Sequence, residues 1–227
     1  MTEDLAPFLR PGRFVDSDHP DVVAFAHQHA AGTATDRDRV VALYYAVRDQ
    51  VRYDPYVPYA EADTYRASAM IRRGRGFCIP KAALLAAVCR VVGLPARVGY
   101  ADVRNHLSTP RLSRMVGGDV YCWHGYTETW VDGAWVKSTP AFNAAMCEKF
   151  GVHPLEFDGR EDSLLHPYDT SGRQHMEYLK ERGTFADVPY DTIIADFRRV
   201  HAGMFDDAAT AEHPDFADEG AAARERS

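Results

Sequence analysis

Cys78 has the surroundings that a catalytic cysteine needs. Gly74 and Gly76 loosen the backbone just before it, and the mostly apolar run 81–92 follows it. Pro80 suits a first helical turn, where its missing N–H costs nothing. A cysteine that opens a helix meets free backbone N–H groups and the positive end of the helix dipole. Both stabilise a thiolate, which predicts a lowered thiol pKa, and the same N–H groups can hold the oxyanion of a tetrahedral intermediate. The plain alternative is a small core residue, since free cysteine is among the most buried types. Cys89, mid-helix in AAVCRVV, illustrates that alternative. Position alone does not separate the two for Cys78.

His124 is placed by turn chemistry. Two strand-like runs, 120–130 and 134–142, flank Asp132-Gly133, the strongest short-range hairpin signal. A two-residue loop there pairs Val131 with Ala134, Trp130 with Trp135, Glu128 with Lys137 and Tyr126 with Thr139. Side chains alternate along a strand, so His124, Tyr126, Glu128 and Trp130 share a face with Lys137, Thr139 and Ala141. Thr139 is then a diagonal neighbour of His124, roughly 7 Å away, where a group orienting an imidazole would sit. A lone histidine on a strand is usually a half-buried polar residue. Trp123 and Tyr126 beside it add interest without deciding the matter.

The elements that must position these residues read as helices first, then strands. Residues 1–17 form an irregular arm broken by Pro7, Pro11 and Gly12. A short helix is expected over 21–31 and a stronger one over 35–51, where Thr35 and Asp38 make a capping-box-like start. An aromatic loop, YDPYVPYA, follows, and 61–72 is helix-compatible. The stretch GRGFCIPKAALLAAVCRVVGLPARVGYADV gives a buried helix stopped by Gly93 and Pro95, then a strand over 96–103. Residues 148–196 are loop-rich, with a last helix at 191–200. This order fits an α+β fold rather than an alternating parallel one. One domain is expected over 1–205, with a core at 35–143 and a loop-rich extension at 144–205. The acidic, alanine-rich segment 206–227 reads as a disordered tail.

The two blocks together resemble the transglutaminase-like superfamily. Gly76-Phe77-Cys78 matches its nucleophile segment, and Gly93-Leu94-Pro95-Ala96-Arg97 matches the turn into the next strand. His124, Glu128, Trp135 and Pro140 match its second block, and VRDQVRYDPY looks like its lead-in. The resemblance covers residues 40–143. It implies a papain-like α+β fold and a Cys–His–Asp triad in which Cys78 attacks a carbonyl and His124 moves the proton. The family's Asp falls on Thr139, a departure. Thr139 can accept a hydrogen bond from His124 but carries no charge to stabilise an imidazolium. Asn143, or a carboxylate from later loops such as Asp158 or Asp169, would be substitutes, and Thr139 ranks first on geometry. The departure also leaves room for a relative without catalysis.

The remaining candidates are weaker. Arg97 is expected to pair with Glu128. Trp123 would line the site, shape an oxyanion pocket or pack in the core. His106, His153, His166 and His175, with Asp158, Glu161, Asp162 and Asp169, show no ligand spacing and read as solvated loop residues. His27 and His29 point about 200° apart on a helix and cannot share a metal. Ser108 and Ser113 lack a nucleophile elbow.

Composition bounds the rest. A net charge of -7 over 227 residues argues against nucleic acid as a partner. Four cysteines without CxxC spacing suggest neither a zinc site nor a disulfide framework. No apolar run suits a membrane span and no secretory leader is evident, so a cytoplasmic, bacterial-type enzyme is expected. No cofactor and no metal is implied, because acyl transfer through a thiolate needs none. The expected partner is a peptide, a protein or a small amide or amine substrate. The acidic loops after Asn143 suit a cationic one. The sequence does not set the oligomeric state.

Overall fold

The computed structural model describes residues 3–106, 108–165, 167–206 and 215–224. Helix α1 (Pro20–Ala30) and helix α2 (Asp36–Gln50) come first. The expected capping box opens α2: the Asp38 N–H donates to the Thr35 hydroxyl, and the Thr35 N–H donates back to the Asp38 carboxylate. Strand β1 (Arg52–Tyr53), helix α3 (Ala67–Arg73) and strand β2 (Arg75–Gly76) lead to helix α4 (Cys78–Val91). Every residue of α4 from Cys78 to Arg90 is buried. A helix apolar on all sides belongs in a core. Here α1, α2 and α3 cover one side of α4 and the main sheet covers the other.

That sheet contains strands β3 (Ala96–Asn105), β4 (Val120–Val131), β5 (Ala134–Ser138) and β6 (Met176–Phe185), in the order β5-β4-β3-β6. All its pairings are antiparallel, giving the expected α+β class. The hairpin register is the one read from the turn, with Val131 opposite Ala134, Trp130 opposite Trp135 and Glu128 opposite Lys137. Asp132 (φ 52°) and Gly133 (φ 85°) both take left-handed backbone, as a type I′ turn requires. Strand β5 ends at Ser138, short of the expected 142, because Pro140 cannot donate to a ladder.

Three further elements stand where loops were expected. Strand β6 lies inside the loop-rich stretch. It is an edge strand, and exposed Lys180 and Glu181 hide its pattern while protecting the edge. Helices α5 (Pro110–Val116) and α6 (Ala144–Phe150) are short. Helix α7 (Tyr190–Val200) is the expected last helix.

The disordered reading of 206–227 needs correction over its described part. Helix α8 (Phe216–Arg224) packs against α6. The buried Phe216 ring meets Tyr53, Tyr56 and Phe150, at centroid distances of 5.7, 5.8 and 5.2 Å. Asp215 pairs with Arg52 at 2.7 Å, and the Tyr56 hydroxyl donates to Glu219 at 2.8 Å. One aromatic anchor and specifically paired acids outweigh the disorder-like composition. Residues 207–214 and 225–227 lie outside the described part. Among the described residues, no helix is long and apolar enough to cross a membrane.

Candidate active site

The backbone around Cys78 is fixed from several sides. Strands β1 and β2 form a two-residue parallel ladder, and the Asp54 N–H donates to the Gly76 carbonyl at 2.8 Å. The buried Lys81 ammonium donates to the carbonyls of Arg48, at 2.9 Å, and Val51, tying the first turn of α4 to the end of α2. Phe77 precedes α4 in extended conformation with no side-chain cap. The N–H groups at this helix start are therefore open to other acceptors. The N–H groups of Gly125, in β4, and of Ile79, in the first turn of α4, act on the Cys78 thiol and favour its charged form.

His124 is aimed by a bulge. The β3–β4 register shifts between Ala101 and Val103, and Trp123 at this point has φ 62°. Such backbone in a bulky residue costs on the order of 1–3 kcal/mol and persists only where the surroundings impose it. The constraint is a charged network. The Trp123 N–H donates to Asp102 at 3.2 Å and its indole N–H donates to Asp196 at 2.9 Å. Arg182 grips Asp102 at 2.6 and 2.9 Å and reaches Asp196 at 2.7 Å. Bulges re-aim the side chains that follow them, and His124 is the next residue. Gly125 then lets β4 approach the start of α4. A Cβ there would lie 3.0 Å from the Ile79 Cα and 3.1 Å from the Cys78 carbonyl oxygen. Sequence reasoning overlooked Gly125, although a glycine inside a strand, directly after a singled-out histidine, marks close backbone approach.

Cys78 and His124 line one cavity of about 810 Å³, counting open space at its mouth. His124 and Thr139 line a second, of about 340 Å³. His124 thus lines both cavities, one shared with Cys78 and the other with Thr139. The Thr139 hydroxyl is buried and has no hydrogen-bond partner among the described residues. His175, read from sequence as a solvated loop residue, is instead buried and lines both cavities. Backbone bonds of 2.8 Å with His106 and 2.7 Å with Pro167 hold it there, and its ring stacks on Phe142. No spacing in the sequence signals this position.

The other candidates lie elsewhere or are engaged. Asn143 lines neither cavity, and its side-chain oxygen accepts the Tyr53 N–H at 3.0 Å. Glu128 accepts from Arg97 at 2.6 Å, the pairing expected, and is also away from both cavities. Trp123 lines the larger cavity, but its indole N–H is committed to Asp196, which rules out the indole as an oxyanion donor. Asp158 and Asp169 accept hydrogen bonds within their own turns, from residues 160 and 161 and from residues 171 and 173, away from His124. His166 lies outside the described residues. Among the described residues no three His, Cys, Asp or Glu side chains are grouped to hold a metal ion.

The electrostatics correct the expectation of a lowered thiol pKa. Burial pushes Cys78 up to about 11, and the N–H groups of Gly125 and Ile79 offset only part of that. Burial also pushes His124 down to about 4. At neutral pH the Cys78 thiol is therefore protonated and the His124 imidazole neutral. The helix N-terminus is present, but the loss of water around the sulfur outweighs it.

A family model described as the transglutaminase-like superfamily matches residues 23–140, just over half of the chain. The chain belongs to the transglutaminase-like superfamily. The matched segment contains Cys78, His124 and Thr139. Membership supports a cysteine-dependent catalytic activity in general. Among solved structures, one from Cytophaga hutchinsonii, described as a "Putative Cysteine Protease", is similar at 21% identity and a TM-score of 0.49. That match covers 82% of this chain and 48% of the other. A second, from Parabacteroides distasonis and described as a "putative protease", is similar at 16% identity and a TM-score of 0.38, over 59% of this chain and 24% of the other. The chain thus spans about half the length of the first and a quarter of the second. No curated protein matches it in sequence.

Proposed function

We propose that this protein forms a thioester on Cys78 from an amide or ester carbonyl and passes the acyl group to an amine or to water. The carrying observation is that Cys78 and His124, 46 residues apart in sequence, line one cavity, with the N–H groups of Gly125 and Ile79 favouring the charged form of the thiol. In this reading His124 takes the thiol proton as Sγ attacks the carbonyl carbon. Those N–H groups then turn to the developing oxyanion. On collapse the carbon–nitrogen bond breaks and His124 returns the proton to the leaving amine. Acceptor attack on the thioester repeats the cycle in reverse. Thr139 accepts from the far imidazole nitrogen.

An acyl-enzyme trap with a panel of amides and amines tests this. A Cys78 adduct passed to amines supports transfer. Free acid as the sole product makes the protein an amidase or peptidase of the same fold. A second reading, a peptide- or protein-binding relative without catalysis, is favoured by one observation: an uncharged Thr139 stands where the family carries a carboxylate. The absence of any Cys78 adduct, together with ordinary thiol reactivity, would select it.

A further inference from the structure

The walls of the larger cavity contain no Asp, Glu, Lys or Arg among the described residues, although a quarter of the chain is charged. Several of its polar groups are engaged within the protein. Ser108 pairs with the Tyr121 hydroxyl. The two ring nitrogens of His201 meet the Val116 carbonyl at 2.8 Å and the Cys122 N–H at 3.2 Å. Apart from Cys78, Asn105, His124 and His175, the remaining wall is aliphatic, aromatic and thioether, with Leu112, Met146, Met204 and Phe216 supplied by four separate segments. Thioethers adapt to ligands of irregular shape.

We propose that this cavity holds the acyl part of the substrate and that this acyl part is uncharged and apolar, an alkyl or arylalkyl chain. The proposal rests on the acyl-transfer reading above. A carbonyl carbon at the Cys78 sulfur carries its acyl substituent into the adjoining space. A charged substituent entering there would lose its water and find no counter-ion, while an apolar one gains from leaving water. The acidic loops that suggested a cationic substrate contribute no carboxylate to this wall. The covalent step is unchanged: the sulfur–carbon bond forms, the bond to the leaving group breaks, and the leaving group departs with the thiol proton.

The test has two arms. In the first, p-nitrophenyl acetate, butyrate, hexanoate and octanoate acylate the wild-type protein, and the rate at Cys78 is read by mass spectrometry. In the second, Cys78→Ala is titrated calorimetrically with acetamide, hexanamide, octanamide and 6-aminohexanamide. Burial of each methylene predicts about a fourfold gain per CH2 in both arms until the cavity is filled. The ammonium of 6-aminohexanamide should erase the gain of hexanamide over acetamide. Chain-length-dependent binding without any Cys78 adduct would leave this inference standing and remove the acyl-transfer reading. Acylation with acetyl as fast as octanoyl, or tighter binding of the cationic amide, would overturn the inference and leave the reading. Neither binding nor acylation would overturn both.

Discussion

Replacing Thr139 by aspartate should awaken the Cys78–His124 pair. With the thiol pushed up to about 11 and the imidazole down to about 4, moving the proton from Cys78 to His124 is uphill. Thr139 is buried, lines the same small cavity as His124 and offers a hydroxyl without a partner among the described residues. A carboxylate at that position favours the imidazolium and raises an imidazole pKa by about one to three. That removes about 1.4–4 kcal/mol from the transfer. Iodoacetamide alkylation of Cys78 at pH 7, with the site read by mass spectrometry, should accelerate about 10- to 1000-fold in Thr139→Asp.

Two controls give the experiment its force. Thr139→Asn offers a hydrogen bond of the same size without charge and should leave the rate near wild type. Adding His124→Ala to Thr139→Asp should abolish the gain. The aspartate and His124 will titrate as a pair, so the quantity to follow by NMR is proton uptake by both, with a midpoint above 4. If Thr139→Asp is no faster than Thr139→Asn and His124 titrates as in wild type, Thr139 does not face the imidazole and the geometric argument fails.

Three further outcomes follow from the packing. Gly125→Ala places a Cβ against the backbone of Ile79 and Cys78, so strand and helix must separate; a loss of about 1–3 kcal/mol in urea titration is expected. Lys81→Met strips two buried carbonyls of their donor, costing about 2–5 kcal/mol. Burial lowers Lys81 to about 7, whereas the unfolded chain holds that proton to about 10.4, so the unfolded state binds more protons between these values. Stability measured from pH 7 to 9 should therefore rise by about 2–3 kcal/mol in wild type, a slope that Lys81→Met lacks. Phe216→Ala removes the one buried aromatic of α8, and a nine-residue helix does not hold on its own. Amide exchange over 216–224 should lose its protection while the sheet keeps its own.

What could be read from the sequence was set by neighbours in the chain. Thr35 and Asp38 are three residues apart, Asp132 and Gly133 adjoin, and the run after Cys78 is mostly apolar. Each signal contains its own geometry, so the α2 start, the hairpin register and the buried helix all follow from it. Alternation along the two strands also leads to the expectation that Thr139 neighbours His124, and the two line one cavity. What escaped depends on partners distant in sequence. Strand β6 exists because β3 offers it an edge, and its outward lysine and glutamates mask the alternation. His175 is buried only because the backbone of His106 and Pro167 holds it beside Phe142. Helix α8 is anchored by one phenylalanine in a stretch whose average composition resembles a solvated tail. The thiol pKa failed differently. The helix N-terminus was legible, but the depth of burial that overrides it belongs to the assembled cavity.

That burial links the two halves of the functional argument. A wall without charges makes the cavity receptive to an apolar acyl chain, and the same wall raises Cys78 and lowers His124. A family aspartate would ease the proton transfer by placing a negative charge beside the imidazole. Thr139 carries no charge, and the free protein rests with the thiol protonated and the imidazole neutral. In the proposed acyl-transfer reading, nucleophilic power is generated once a carbonyl is in place and the N–H groups of Gly125 and Ile79 serve the developing oxyanion. That reading predicts slow reaction with small alkylating agents and faster reaction with a substrate that fills the cavity. Low thiol reactivity alone therefore does not argue against catalysis. The discriminating comparison is Cys78 acylation by an octanoyl ester against alkylation by iodoacetamide in the same wild-type protein: a large preference for the ester identifies a substrate-triggered enzyme, and equal slowness toward both identifies a binding relative.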